Sequence, residues 1–177
     1  MAVEITESAR KSLAKIVDGF RKKNLPVKWV KPQNMHITTK FLGDIDESML
    51  AKVQNIARGI CHDIARFDLR LSGLGCFPRP SNPRIVWVGI DQGGPELSAL
   101  VSVLEGSLNS LGFKQEERFH PHLTIGRTRQ ACRIDEILKT EIQSDVFCIN
   151  NVVLFESILT PTGPMYKVIE KFDLAAI

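Results

Sequence analysis

Two four-residue strings of one design lie about half a chain apart: His36-Ile37-Thr38-Thr39 and His122-Leu123-Thr124-Ile125. In an extended strand successive side chains point to opposite faces, so each His and the Thr two residues later project together, while Ile37 or Leu123 turns into a core. The chain thus offers two copies of an imidazole beside a hydroxyl. Two imidazoles that titrate near neutrality are able to act as base and acid in one reaction. Two threonine hydroxyls are able to donate to the non-bridging oxygens of a phosphate held between them. The pattern points to His36 and His122 as an acid/base pair and to Thr38 and Thr124 as phosphate donors.

Secondary elements must place these strings. Ala9, Leu13, Ile16, Val17 and Phe20 recur at helical spacing and predict an amphipathic helix over about 6–23, stopped by Asn24 and Pro26. A short strand, Val27 to Val30, leads to the first motif strand, within Met35 to Gly43. Asp46 reads as the N-cap of a second helix with Leu50, Val53, Ala57 and Ile60 inward. Phe67, Leu69 and Leu71 alternate as a strand, Gly73 to Pro83 reads as a loop, and Arg84 to Ile90 as a buried strand. Pro95 opens a third helix with Leu97, Leu100, Leu104, Leu108 and Leu111 inward, closed by Gly112. The second motif strand, within Pro121 to Arg127, is followed by a helix near 133–142 and strands near 145–156 and 165–174. The order helix, motif strand, helix, strand therefore occurs twice. It suggests an α+β architecture of two similar lobes, each giving one His-x-Thr to a shared cleft.

At 177 residues, 44% apolar and 24% charged, the chain suits one sizeable core rather than two full domains. No apolar run approaches the 18 or so residues of a membrane helix and no signal peptide opens the chain, so a cytoplasmic protein without a membrane partner is expected. Cys61, Cys76, Cys132 and Cys148 spell no C-x-x-C and read as buried reduced thiols. The net charge of +3 is too mild for a protein that coats long nucleic acid. It conceals an asymmetry: residues 1–88 carry 15 basic and 8 acidic side chains (+7), and residues 89–177 carry 8 and 12 (−4). A small or terminal phosphate ligand fits that balance.

The longer strings around the motifs resemble a known family. Trp29-Val30-Lys31-Pro32 leads to His36-Ile37-Thr38-Thr39-Lys40-Phe41-Leu42-Gly43; then come Pro83-Arg84-Ile85-Val86-Trp87-Val88-Gly89, Arg118-Phe119-His120-Pro121-His122-Leu123-Thr124-Ile125-Gly126-Arg127, and Gly163-Pro164-Met165-Tyr166. Together they resemble the 2H phosphoesterase superfamily, in its LigT-like branch of RNA 2′,3′-cyclic phosphodiesterases, also called 2′-5′ RNA ligases. The resemblance implies one bilobal domain over 1–177, with two antiparallel sheets facing a positively lined cleft and helices packed outside. It implies no cofactor and no metal. The substrates would be RNA ends or small nucleotides bearing a 2′,3′-cyclic phosphate, opened to a 2′-phosphate, with 2′-5′ ligation as a second activity. His36 and His122 would be catalytic, Thr38 and Thr124 would bind phosphate, and Arg127 would contact phosphate or ribose. Phe41 and Phe119 are weaker candidates for base stacking. A monomer is expected. Two departures stand out: Met1 to Ile5 is short for the family's opening strand, which puts the N-terminal sheet edge in question, and Thr39 replaces a commoner apolar residue.

Other residues carry competing readings. His120 and His122 share a strand face and would suit a metal, but no third ligand lies close in sequence. His62 reads as a surface or capping residue. Arg79 and Arg84 flank a Pro-rich loop and either meet phosphate or stay solvated. Lys40 either enriches the cleft's positive field or lies at its rim. A non-catalytic RNA- or nucleotide-binding module is the rival function, although binding alone does not need two titrating groups. For the catalytic reading, His122 is expected as base and His36 as acid.

Overall fold

The computed structural model describes residues 1–116, 118–161 and 163–176. Thr6 caps the first helix, α1 (Glu7–Arg21), its hydroxyl accepting from the Ala9 amide at 3.3 Å. Ala9, Leu13, Val17 and Phe20 form the buried stripe, and Asn24 follows with φ of 50°. Asp46 caps α2 (Glu47–Asp63), accepting from Met49 N–H at 2.7 Å. The third helix, α3 (Gly94–Asn109), has Pro95 in its first turn and buries Leu97, Leu100, Leu104 and Leu108.

The fourth helix, α4 (Asp135–Leu138), is a single turn, shorter than the helix the pattern predicts over 133–142. Tertiary pairing competes with helix extension here. The Ile142 carbonyl accepts from Gly73 N–H at 2.9 Å and Ser144 N–H donates to the Leu71 carbonyl at 2.9 Å, so this backbone is drawn to a strand edge.

Among the described residues nine strands form two antiparallel sheets. One contains β1 (Ala2–Glu4), β3 (His36–Thr38), β8 (Asn151–Thr160) and β9 (Gly163–Asp173) in the order β3-β1-β8-β9. The other contains β2 (Val27–Trp29), β4 (Phe67–Phe77), β5 (Ile85–Gln92), β6 (Leu123–Thr128) and β7 (Phe147–Ile149) in the order β2-β6-β5-β4-β7. Each sheet carries one motif, as the repeated order suggests. The sheets are not the two halves of the chain, however. Strands β1 and β3 join β8 and β9 from the C-terminal end, and β6 of the second half lodges between β2 and β5 of the first. Helix α2 packs on β9 and on α3, α3 on β5, and α4 on β4.

Three local expectations need correction. The short opening segment is an interior strand, not a doubtful edge: β1 pairs with β3 through Val3 and Ile37 and with β8 through Ala2 and Val153. The segment from Gly73 is not loop until after Phe77, because β4 continues through it with register shifts. Glycines inside a strand mark bulges and close approaches as well as turns. At Gly75 a Cβ would stand 2.1 Å from the Trp87 ring, which lies directly over the bare Cα. The thiols also differ from expectation, since Cys61 is buried, Cys76 and Cys132 are half-buried and Cys148 is exposed. Cys148 points outward between the buried Phe147 and Ile149, as strand alternation requires. Among the described residues no helix is long and apolar enough to cross a membrane.

Candidate active site

The first motif occupies all of β3. Ile37 is fully buried while His36 and Thr38 turn the other way, as alternation demands. A single 3₁₀ turn, Pro32–Asn34, leads into the strand. Arg10 braces that turn, its guanidinium donating to the carbonyls of Pro32 at 2.7 Å and Met35 at 3.0 Å. Asn34 Nδ2 donates across to the Pro164 carbonyl at 2.8 Å, tying the turn to β9. The β8–β9 hairpin then walls the imidazole: Tyr166 meets His36 edge-on with ring centres 4.8 Å apart, and Phe155 lies at 5.5 Å. Burial pushes the His36 imidazole down to about 4. The charge of the Met1 amine adds to this and so does Arg10, while a backbone hydrogen bond with Asn34 and the Glu4 charge oppose it. His36 is therefore neutral near pH 7.

The second motif begins just ahead of β6. Leu123 and Ile125 are fully buried, leaving His122 and Thr124 on the other side. His122 Nδ1 lies 2.6 Å from the His120 carbonyl. A carbonyl only accepts, so Nδ1 carries the hydrogen and Nε2 is left for chemistry. Here the wall comes from the β4–β5 hairpin, with Phe77 edge-on at 5.2 Å and Trp87 at 6.2 Å. Strict alternation would put Thr124 and Arg127 on opposite faces. Gly126 and Thr124 instead oppose the adjacent residues Val86 and Trp87, which makes Ile125 the extra residue of a bulge. That bulge restores a common direction.

Both sheets line a cavity of about 180 Å³, with His36 and Thr38 on one side and Thr124 and Arg127 on the other. Four of the five site residues expected from the sequence thus meet. His122 does not border the cavity itself; its ring rests on Phe77, two residues before the cavity-lining Thr124. Lys28 and Lys31 also line the space. Lys28 sits directly opposite Arg127 in the β2–β6 ladder. Like charges placed so repel each other, and an anion between them would turn that cost into binding.

Further residues of the sequence strings find their places. Phe41 is 69% exposed at the cavity wall, whereas Phe119 is half-buried against the core. Arg79 and Arg84 are exposed and do not line the cavity. Lys40 is neither in the cleft nor at a solvated rim. The strand ends at Thr38, and the Lys40 ammonium turns inward to Glu105 at 2.7 Å and to the Lys114 carbonyl at 2.6 Å. The sequence motifs gave no role to Lys28, Asn34, Tyr166 or Phe155: Lys28, Tyr166 and Phe155 reach the site through non-local strand pairing, and Asn34, in the turn just before His36, lies outside the His-x-Thr pattern. Tyr166 ends one of the family-like strings, the one signal available. Among the described residues no group of three His, Cys, Asp or Glu side chains is placed to hold a metal ion.

The model of the family described as LigT like Phosphoesterase matches this chain twice, at residues 3–87 and 88–166. The double match coincides with the repeated element order. The RNA 2′,3′-cyclic phosphodiesterase of Aeropyrum pernix is 34% identical over 170 residues, covering 93% of this chain and 96% of the relative. That of Methanothermobacter thermautotrophicus is 34% identical over 182 residues, covering 98% and 97%. A solved structure from Thermus thermophilus superposes with a TM-score of 0.83 at 27% identity, covering 99% of this chain and 96% of the other. With two sheets that each present a His-x-Thr, and with near full-length matches, the chain belongs to the LigT-like phosphoesterase family.

Proposed function

We propose that residues 1–177 act as one RNA 2′,3′-cyclic phosphodiesterase unit, a cytoplasmic monomer that opens the cyclic phosphate of an RNA end or small nucleotide to a 2′-phosphate without a metal. The observation that carries this reading is the joint cavity: His36 and Thr38 from one sheet, Thr124 and Arg127 from the other, with Lys28 and Lys31 beside them. The names of the relatives from Aeropyrum and Methanothermobacter supply the substrate class.

The reaction attacks phosphorus with water in line with O3′, takes a proton from the water and gives one to the leaving O3′. Thr38 and Thr124 donate to the non-bridging oxygens as these gain charge, and Arg127 contacts phosphate or ribose. His36 and His122 move the protons. The depressed value at His36 favours it as the base, since its ring is already neutral near pH 7, and leaves His122 as the acid. This reverses the assignment expected from the sequence. With an RNA 5′-hydroxyl in place of the attacking water, the same opening of the cyclic phosphate would form a 2′-5′ linkage and leave O3′ as a hydroxyl.

The test is an assay of the purified protein on a 2′,3′-cyclic nucleotide with excess chelator, with the product's phosphate position determined. Turnover to 2′-phosphate is expected. Loss of activity to the chelator, or 3′-phosphate as the main product, would contradict the reading.

A further inference from the structure

Phe41 separates two concavities. One side of it lines the motif cavity; the other lines an open groove completed by Lys40, Lys114, Gln115, Glu116 and Arg118. The charges in this groove are unequal in availability. Lys40 is neutralised by the buried Glu105 at 2.7 Å. Lys114 and Arg118 are exposed and enter no ion pair among the described residues, and Glu116 is the exposed carboxylate among the described residues that line the groove. The groove wall is also held in place. Lys40 Nζ donates to the Lys114 carbonyl at 2.6 Å, and Glu116 N–H donates to Glu105 Oε2 at 3.0 Å.

Free cations beside an exposed aromatic ring are what a single nucleic-acid strand requires, the cations for its phosphates and the ring for a base. A cyclic phosphate in the motif cavity is the 3′ end of such a strand, and the next phosphate must leave on its 5′ side. We propose that the groove beyond Phe41 binds the penultimate nucleotide of an RNA substrate. Lys114 and Arg118 hold the phosphate that joins the last two nucleotides, and the groove side of Phe41 receives a base. The proposal rests on the phosphodiesterase reading above and adds that the substrate is an oligonucleotide end.

The test compares a 2′,3′-cyclic mononucleotide with a tetraribonucleotide ending in the same cyclic phosphate, for the wild type and for Lys114→Ser/Arg118→Ser. The wild type should show a KM for the tetranucleotide about tenfold or more below that for the mononucleotide. The double variant should lose most of that advantage with mononucleotide turnover unchanged. The slope of log KM against log salt for the tetranucleotide should also fall by about 0.7, one phosphate contact on a single strand. Equal KM values in the wild type, or an advantage that survives the double substitution, would overturn the proposal while leaving the phosphodiesterase reading intact. No hydrolysis of either substrate would overturn both.

Discussion

The two His-x-Thr strings are nearly identical in sequence and unlike in setting. His36 lies in a strand, its turn braced by Arg10 and its ring enclosed by Phe155 and Tyr166, and burial drives its basicity down. His122 lies just outside its strand, hydrogen-bonded to the His120 carbonyl and resting on Phe77 and Trp87. The architecture is shared, since each ring leans on two aromatic side chains of an adjoining antiparallel hairpin. The burial is not. The comparison teaches that a duplicated motif becomes a working pair when its copies differ in environment, because an acid and a base cannot be the same group in the same state.

Removing either imidazole breaks the comparison outright. His36→Ala and His122→Ala should each lower kcat by about a hundredfold or more, and the double variant should be little worse than the worse single. Single-turnover rates check this, and near-normal rates for either variant would refute the pairing. The hydroxyls come next. Thr38→Val and Thr124→Val keep the β-branched shape but lose a donor, so kcat should fall by tens to hundreds of fold, up to about 3 kcal/mol each, with the fold retained. Equal losses would mark the phosphate as shared by both sheets.

Smaller effects sharpen the contrast in setting. Gly75→Ala would drive a methyl into the Trp87 ring and so disturb only the His122 side. It should destabilise the protein by about 1–3 kcal/mol in a denaturant titration and lower kcat while leaving the acidic limb of kcat/KM in place. That limb belongs to His36: activity should rise with pH through about 4, where the free enzyme loses the His36 proton. Tyr166→Ala opens the ring to water, so the limb should move up toward the ordinary imidazole range near 6.5. The least effect is expected at Arg127→Met. Relief from Lys28 should leave stability unchanged or raised by about 0.2–1 kcal/mol, while KM rises.

What the sequence disclosed follows from range. Ile37 and Leu123 turn into the core because alternation along three residues is local, and Thr6, Asp46 and Pro95 act at helix starts through contacts within one turn. Lys40 breaks the same rule, because β3 ends before it and a buried carboxylate 65 positions away takes its charge. Arg127 reaches the cavity only through the bulge at Ile125, which nothing in the local pattern announces. Its role was suggested by resemblance, not by spacing. The exchange of strands between halves was hidden for the same reason: β1 and β8 meet across about 150 residues, and periodicity carries no information on partners.

The division of labour between the two histidines is tested most directly with a substrate whose O3′ is replaced by sulfur. A thiolate leaves without needing a proton, so the general acid becomes dispensable while the base does not. His122→Ala should recover most of its lost rate on the sulfur-bridged cyclic phosphate, and His36→Ala should recover little. Rescue of His36→Ala with no rescue of His122→Ala would reverse the roles, and failure to rescue either would contradict acid catalysis by this pair.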